Sequence, residues 1–117
     1  MAGTANISSS FVITYNPSST ADSIISTSRA FKVVGVQAIN TTAGGLTVAV
    51  DKNNGDDVVD GSPTVSANSA EWLELVEANT DVAANQTLSI DPSGTGVLVR
   101  ILCVASGGGQ ALTVTDE

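Results

Sequence analysis

Apolar and polar positions alternate along most of this chain with a period of two. Phe11, Ile13 and Tyr15 alternate with Val12, Thr14 and Asn16, and Leu46, Val48 and Val50 alternate with Thr47 and Ala49. This period marks strands with one buried side, because successive side chains of an extended chain point to opposite faces. The stretch Phe31–Asn40 differs. It is apolar at both parities, with Phe31, Val33 and Ile39 on one and Val34, Val36 and Ala38 on the other. Either both its faces are covered or a bulge at Gly35 switches its phase. Gly44-Gly45 separates it from Leu46–Val50, so residues 31–50 read as a β-hairpin.

The other apolar runs are short and bounded by turn residues. Asn16-Pro17, Asn54-Gly55, Asp60-Gly61, Asp91-Pro92 and Gly107-Gly108-Gly109 each interrupt the alternation, because they favour positive φ or lack a backbone donor. Between them lie short strands at Ser23–Thr27 and Thr64–Ser66, a strand carrying Leu88 and Ile90, and a last one carrying Leu112 and Val114. Glu71–Glu77 reads as a strand with Trp72 and Val76 on one face and Leu73 and Leu75 on the other; 78–85 is a loop or one helical turn. Val97–Val104 is the most apolar run, broken only by Arg100, and reads as a central strand enclosing Cys103 as a buried small hydrophobe. Phe11, Tyr15, Phe31 and Trp72 are all assigned to the core. The sum is an all-β chain, an antiparallel β-sandwich or jelly roll of about eight strands. One domain spans 11–117, and the small polar residues 1–10 read as a flexible N-terminal arm.

Composition narrows the chemistry. Twelve acidic and four basic residues give a net charge of −8, which argues against nucleic acid and anionic membrane as partners. No apolar run approaches the roughly 20 residues of a membrane span, and the first residues do not read as a secretory signal. The chain has no histidine and one cysteine, which removes His-dependent triads, His-containing metal sites and thiolate zinc sites. Glu71, Glu74 and Glu77 read as a solvated strand face, so no enzyme and no cofactor is expected. The Asp-rich loop 51–61 reads first as a structural turn. As a second reading, Asp51, Asn53, Asp56, Asp57 and Asp60 could offer oxygen ligands to calcium. The loop departs from the helix-loop-helix calcium pattern, with Gly55 at the fifth position instead of the sixth and no closing glutamate.

Two paired runs carry a likeness to a known family. Phe31-Lys-Val-Val-Gly-Val-Gln-Ala-Ile-Asn40 followed by Leu46-Thr-Val-Ala-Val-Asp51 is the first. Leu88-Ser-Ile-Asp91 followed by Gly96-Val-Leu-Val-Arg-Ile-Leu-Cys103 is the second. In style and order this resembles small β-sandwich structural proteins of tailed bacteriophages, above all capsid decoration (cement) proteins. The resemblance implies a virion protein on the capsid exterior that stabilises the shell by bridging major capsid protein subunits. It implies a homo-oligomer, a trimer before a dimer, and no catalytic residues. The expected interface is the N-terminal arm, at Thr4, Asn6, Ile7 and Ser8, with one sheet edge. The alternative is a carbohydrate- or cell-surface-binding sandwich, calcium-dependent through loop 51–61, or a phage tail, neck or fibre module.

Overall fold

Among the described residues, the alternating segments form eleven strands, paired antiparallel throughout, in a computed structural model. It describes residues 4–8, 10–16, 23–26, 29–52, 55–105 and 111–115, and for 4–8, 23–26 and 111–115 it describes the strand pairing. The strands are β1 (Thr4–Ser8), β2 (Ser10–Tyr15), β3 (Ser23–Ser26), β4 (Phe31–Asn40), β5 (Leu46–Lys52) and β6 (Thr64–Val65). They continue as β7 (Ser69–Trp72), β8 (Asp81–Val82), β9 (Thr87–Pro92), β10 (Val97–Ala105) and β11 (Ala111–Thr115). Sheet I runs β2-β10-β4-β7, with β8 also on β4; sheet II runs β3-β9-β5-β6. The remaining pair, β1 and β11, makes a two-stranded ribbon of its own. The all-β antiparallel sandwich expected from the alternation is the fold.

The core lies between sheets I and II. Sheet I contributes Phe31, Val33, Val36 and Ala38 from β4, and Val97, Val99, Ile101 and Cys103 from β10. Sheet II answers with Val48, Val50, Val65, Leu88 and Ile90, while Val82 of β8 adds to sheet I and Val58, Val59 and Leu73 fill in from the connections. Each such branched side chain taken fully out of water contributes roughly 1.5–3 kcal/mol. The double apolar parity of β4 resolves as a bulge. Its register against β10 pairs Leu102 with Gly35 and Cys103 with Val33, so Val34 is the extra residue. Phe31 and Val33 point inward before it, and Val36, Ala38 and Asn40 after it.

Residues 31–50 do not form the expected hairpin. β4 lies in sheet I and β5 in sheet II, so the connection 41–45 is a corner from one sheet to the other. The buried Asn40 side chain builds that corner. Its Nδ2 donates to the carbonyls of Gly44 at 2.8 Å and Val65 at 3.0 Å. Its Oδ1 accepts from the Thr42 amide at 2.9 Å and the Thr42 hydroxyl at 2.7 Å. A hairpin would have left the inward residues of β4 and β5 on one sheet; the corner sets them face to face across the core.

Three smaller expectations also change. The strand expected over 71–77 ends at Trp72, and Glu77–Asn79 is a short 3-10 turn. The loop expected over 78–85 contains β8, whose Val82 is buried. Of the four aromatics assigned to the core, Phe31 is buried and Tyr15 packs partly against it. Phe11 sits half out at the rim, edge-on to Phe31 with ring centroids 5.5 Å apart, and Trp72 is exposed. The glycine triplet 107–109 lies outside the described residues.

Candidate functional site

Among the described residues, no other sheet covers the outer face of sheet I, where Val12, Val34 and Trp72 are exposed, and its composition is not that of an ordinary solvated face. Directly opposed residues of an antiparallel pair share a face, so the registers define rows across the sheet. One row is Val12 of β2, Leu102 of β10 and Gly35 of β4, with bulged Val34 beside it. The next is Thr14, Arg100, Gln37 and Trp72. A third holds Leu98, Ile39 and Ala70. Val12, Val34 and Trp72 remain 55%, 50% and 61% exposed, together on the order of 300 Å² of apolar surface, a size typical of functional patches on monomers.

The bulge arranges this patch. A Cβ built on Gly35 would stand only 3.1 Å from Cζ3 of Trp72, so the indole lies over the glycine. That contact brings Trp72 toward the Val12–Leu102 row. Val12, Val34, Leu102 and Val104, among others, line a shallow depression of about 190 Å³ beside it. At the far end of the sheet an open hollow of about 330 Å³ is lined by Ile39, Asn40, Thr41, Asn68, Ser69 and Ala70.

The outward positions of β2, β10, β4 and β7 carry no carboxylate. Their charged residues are Arg100 and, at one end, Lys32, which stands in register with Asp81 of β8 and donates to the Thr80 hydroxyl at 2.9 Å. Apart from Asp81 at that end, the acidic groups lie elsewhere. Glu71 falls on the core-side parity of β7, opposite Ala38, and its Oε2 accepts from the Ser66 amide at 3.3 Å. On a chain of net charge −8, this is a surface that an apolar or acidic partner can approach without repulsion.

The other expected positions fall as follows. Asn53 lies outside the described residues. Asp51 belongs to β5, opposite Ser89, and its backbone forms an isolated antiparallel β-bridge with that of Asp57. The loop is closed by the Lys52 amide donating to the Asp56 carbonyl and the Gly55 amide donating to the Lys52 carbonyl, both at 2.9 Å. Gly55 and Gly61 adopt φ of +89° and +68°, the left-handed turns that Asn-Gly and Asp-Gly favour. Among the described residues no group of three or more acidic, cysteine or histidine side chains is gathered for a metal. Buried Cys103 lies 3.6 Å from the Ile101 carbonyl, and burial pushes its thiol up to about 12. Thr4, Asn6, Ile7 and Ser8 are on β1, opposite Thr115, Thr113, Leu112 and Ala111.

Sequence reading missed Val12, Val34, Leu102 and Trp72 as a surface. The available signal was the double parity of β10, apolar at Leu98, Leu102 and Val104 as well as at its buried positions. That pattern fits a strand covered on both sides and equally a strand whose second face awaits a partner. Against protein-family models, curated proteins and solved structures, the chain finds no match.

Proposed function

We propose that this chain is a virion structural protein, a capsid decoration or cement protein that binds the capsid exterior and stabilises the shell by bridging major capsid protein subunits. The resemblance of its strand runs to that family is the starting point. The observation that carries the reading is the uncovered outer face of sheet I, where Trp72, Val34, Val12 and Leu102 form an apolar patch free of carboxylates. A rigid sheet face holds such side chains in place at little entropic cost, and a buried Trp is the commonest kind of anchor in an interface. Repeated by the symmetry of a shell, many modest contacts add up to strong stabilisation through multivalency.

The test is co-sedimentation with empty expanded shells assembled from the major capsid protein of the same genome. The protein pellets with the shells to a saturating stoichiometry, and the emission of its single tryptophan shifts to the blue as Trp72 is covered. Trp72→Ser weakens binding by roughly 10–30-fold. Shells that leave the protein in the supernatant at saturating concentration would overturn the reading.

The exposed indole also favours a second reading, a carbohydrate- or cell-surface-binding sandwich, since an aromatic plate is what a sugar ring stacks on. There, oligosaccharides change Trp72 emission and calcium raises the melting temperature through loop 51–61. No response to either counts against this alternative.

A further inference from the structure

Arg100 stands in the middle of the outer face of sheet I. Its row runs to Thr14 on one side and to Gln37 and Trp72 on the other. The row on one flank holds Val12 and Leu102; the row on the other holds Leu98, Ile39 and Ala70. A full positive charge is thus set between two apolar rows. The residue is exposed, and among the described residues its guanidinium makes no hydrogen bond and no ion pair. The other basic residues are engaged within the fold. Lys32 donates to the Thr80 hydroxyl at 2.9 Å, Lys52 donates to the Asp81 carbonyl at 3.0 Å, and Arg29 has a partner as well. Gln37, directly opposite Arg100 on β4, also makes no side-chain hydrogen bond among the described residues.

We propose that the protein surface docking on this face carries a carboxylate side chain that pairs with Arg100, with the Gln37 amide as a second donor, while apolar side chains around that carboxylate cover Trp72, Val12 and Leu102. The inference rests on the reading of this face as the capsid-binding surface and names what the capsid subunit must present to it. Strand spacing puts Trp72 about 10 Å from Arg100, and strand rise puts Leu102 about 7 Å away. A stable interface covers roughly 800 Å² of each partner, a disc roughly 30 Å across. A partner that covers Trp72 and Leu102 therefore covers Arg100 too. A guanidinium cannot shed its proton to escape burial, and a buried charge without a partner is strongly unfavourable. The outward positions of β2, β4, β7 and β10 supply no carboxylate, so the anion comes from the other protein. The planar fork of the guanidinium matches a carboxylate with two parallel hydrogen bonds. Arg100 then sets specificity: an apolar surface of the same shape but without the acid strands the charge and is rejected.

Arg100→Met tests it on the full chain, with the same empty shells as the probe. The substitution keeps the length and apolar stem of the side chain and removes the charge. Binding is expected to weaken roughly 30–100-fold, through faster dissociation, because the partner's carboxylate is left unpaired. Circular dichroism and the melting temperature stay those of the unsubstituted chain. Arg100→Lys keeps the charge without the two-pronged donor and recovers part of the loss. Arg100→Gln gives the same test should Arg100→Met aggregate. If the face recognises apolar shape alone, a folded Arg100→Met binds as well as the unsubstituted chain or more tightly. With Trp72→Ser still weakening binding, that result overturns this proposal and leaves the capsid reading standing. Shells that leave the unsubstituted protein in the supernatant overturn both. So does binding of acidic oligosaccharides through Arg100 with the shells left unbound, since the anion would then come from a sugar.

Discussion

Asn40 shows how one polar side chain can decide a connection. It is buried, and all four of its hydrogen bonds are used within the corner between sheets I and II. Truncating it strands the Thr42 amide and the Val65 carbonyl where water reaches them poorly, so Asn40→Ala is expected to cost about 3 kcal/mol in urea unfolding. A loss below about 1 kcal/mol would mean that the rest of the corner holds without it. Cys103 acts in the opposite sense, as a polar group kept silent. In the folded chain its thiol retains the proton up to about 12, against a reference value of 9.0. The unfolded state therefore sheds that proton first, and folding stability falls as pH rises from about 9 toward 12. Cys103→Ala, though less stable at neutral pH for the cavity it leaves, is expected to show a shallower decline over that window. Equal slopes for the two proteins would assign the alkaline loss to other groups.

At the scale of elements, alternation identified the strands but not their partners. Leu46–Val50 carries the same period whether it folds back on β4 or crosses to the other sheet. What separates the two outcomes is the pairing of β4 with β10 and β7, and of β5 with β9, contacts distant in sequence. The bulge at Val34–Gly35 was legible because the parity of apolar residues breaks there. The apolar outer face of sheet I was not, since a run apolar on both parities does not say which side a second sheet will cover. The loop glycines 55 and 61 were legible for a local reason, as each takes the positive φ its dipeptide favours. Gly35 connects the bulge to the candidate site. With the indole carbon 3.1 Å from where a Cβ would stand, Gly35→Ala must push Trp72 outward by a few tenths of an ångström or shift the strand. The expected result is an altered tryptophan emission and a stability change within about 1 kcal/mol, with weaker binding to shells. An emission spectrum identical to that of the unsubstituted chain would show that the indole does not rest on the glycine in solution.

The whole molecule is elongated, with principal extents of 58 × 28 × 24 Å. Its radius of gyration of 16.3 Å exceeds the roughly 13 Å of a compact domain of this length. Charge is uneven in the same body. Four of the acidic residues lie on strands, Asp51 on β5, Glu71 on β7, Asp81 on β8 and Asp91 on β9, while β1, β2, β4, β10 and β11 contain none. Any association between copies then has a definite salt dependence, because bodies of this net charge repel one another. Raising sodium chloride from about 0.02 to about 0.3 M shortens the screening length from roughly 20 to roughly 6 Å. Sedimentation equilibrium across that range is expected to show association tightening severalfold. Association that loosens with salt would mean that opposite charges hold the copies together, at a surface where Arg100 or Lys32 meets acidic side chains.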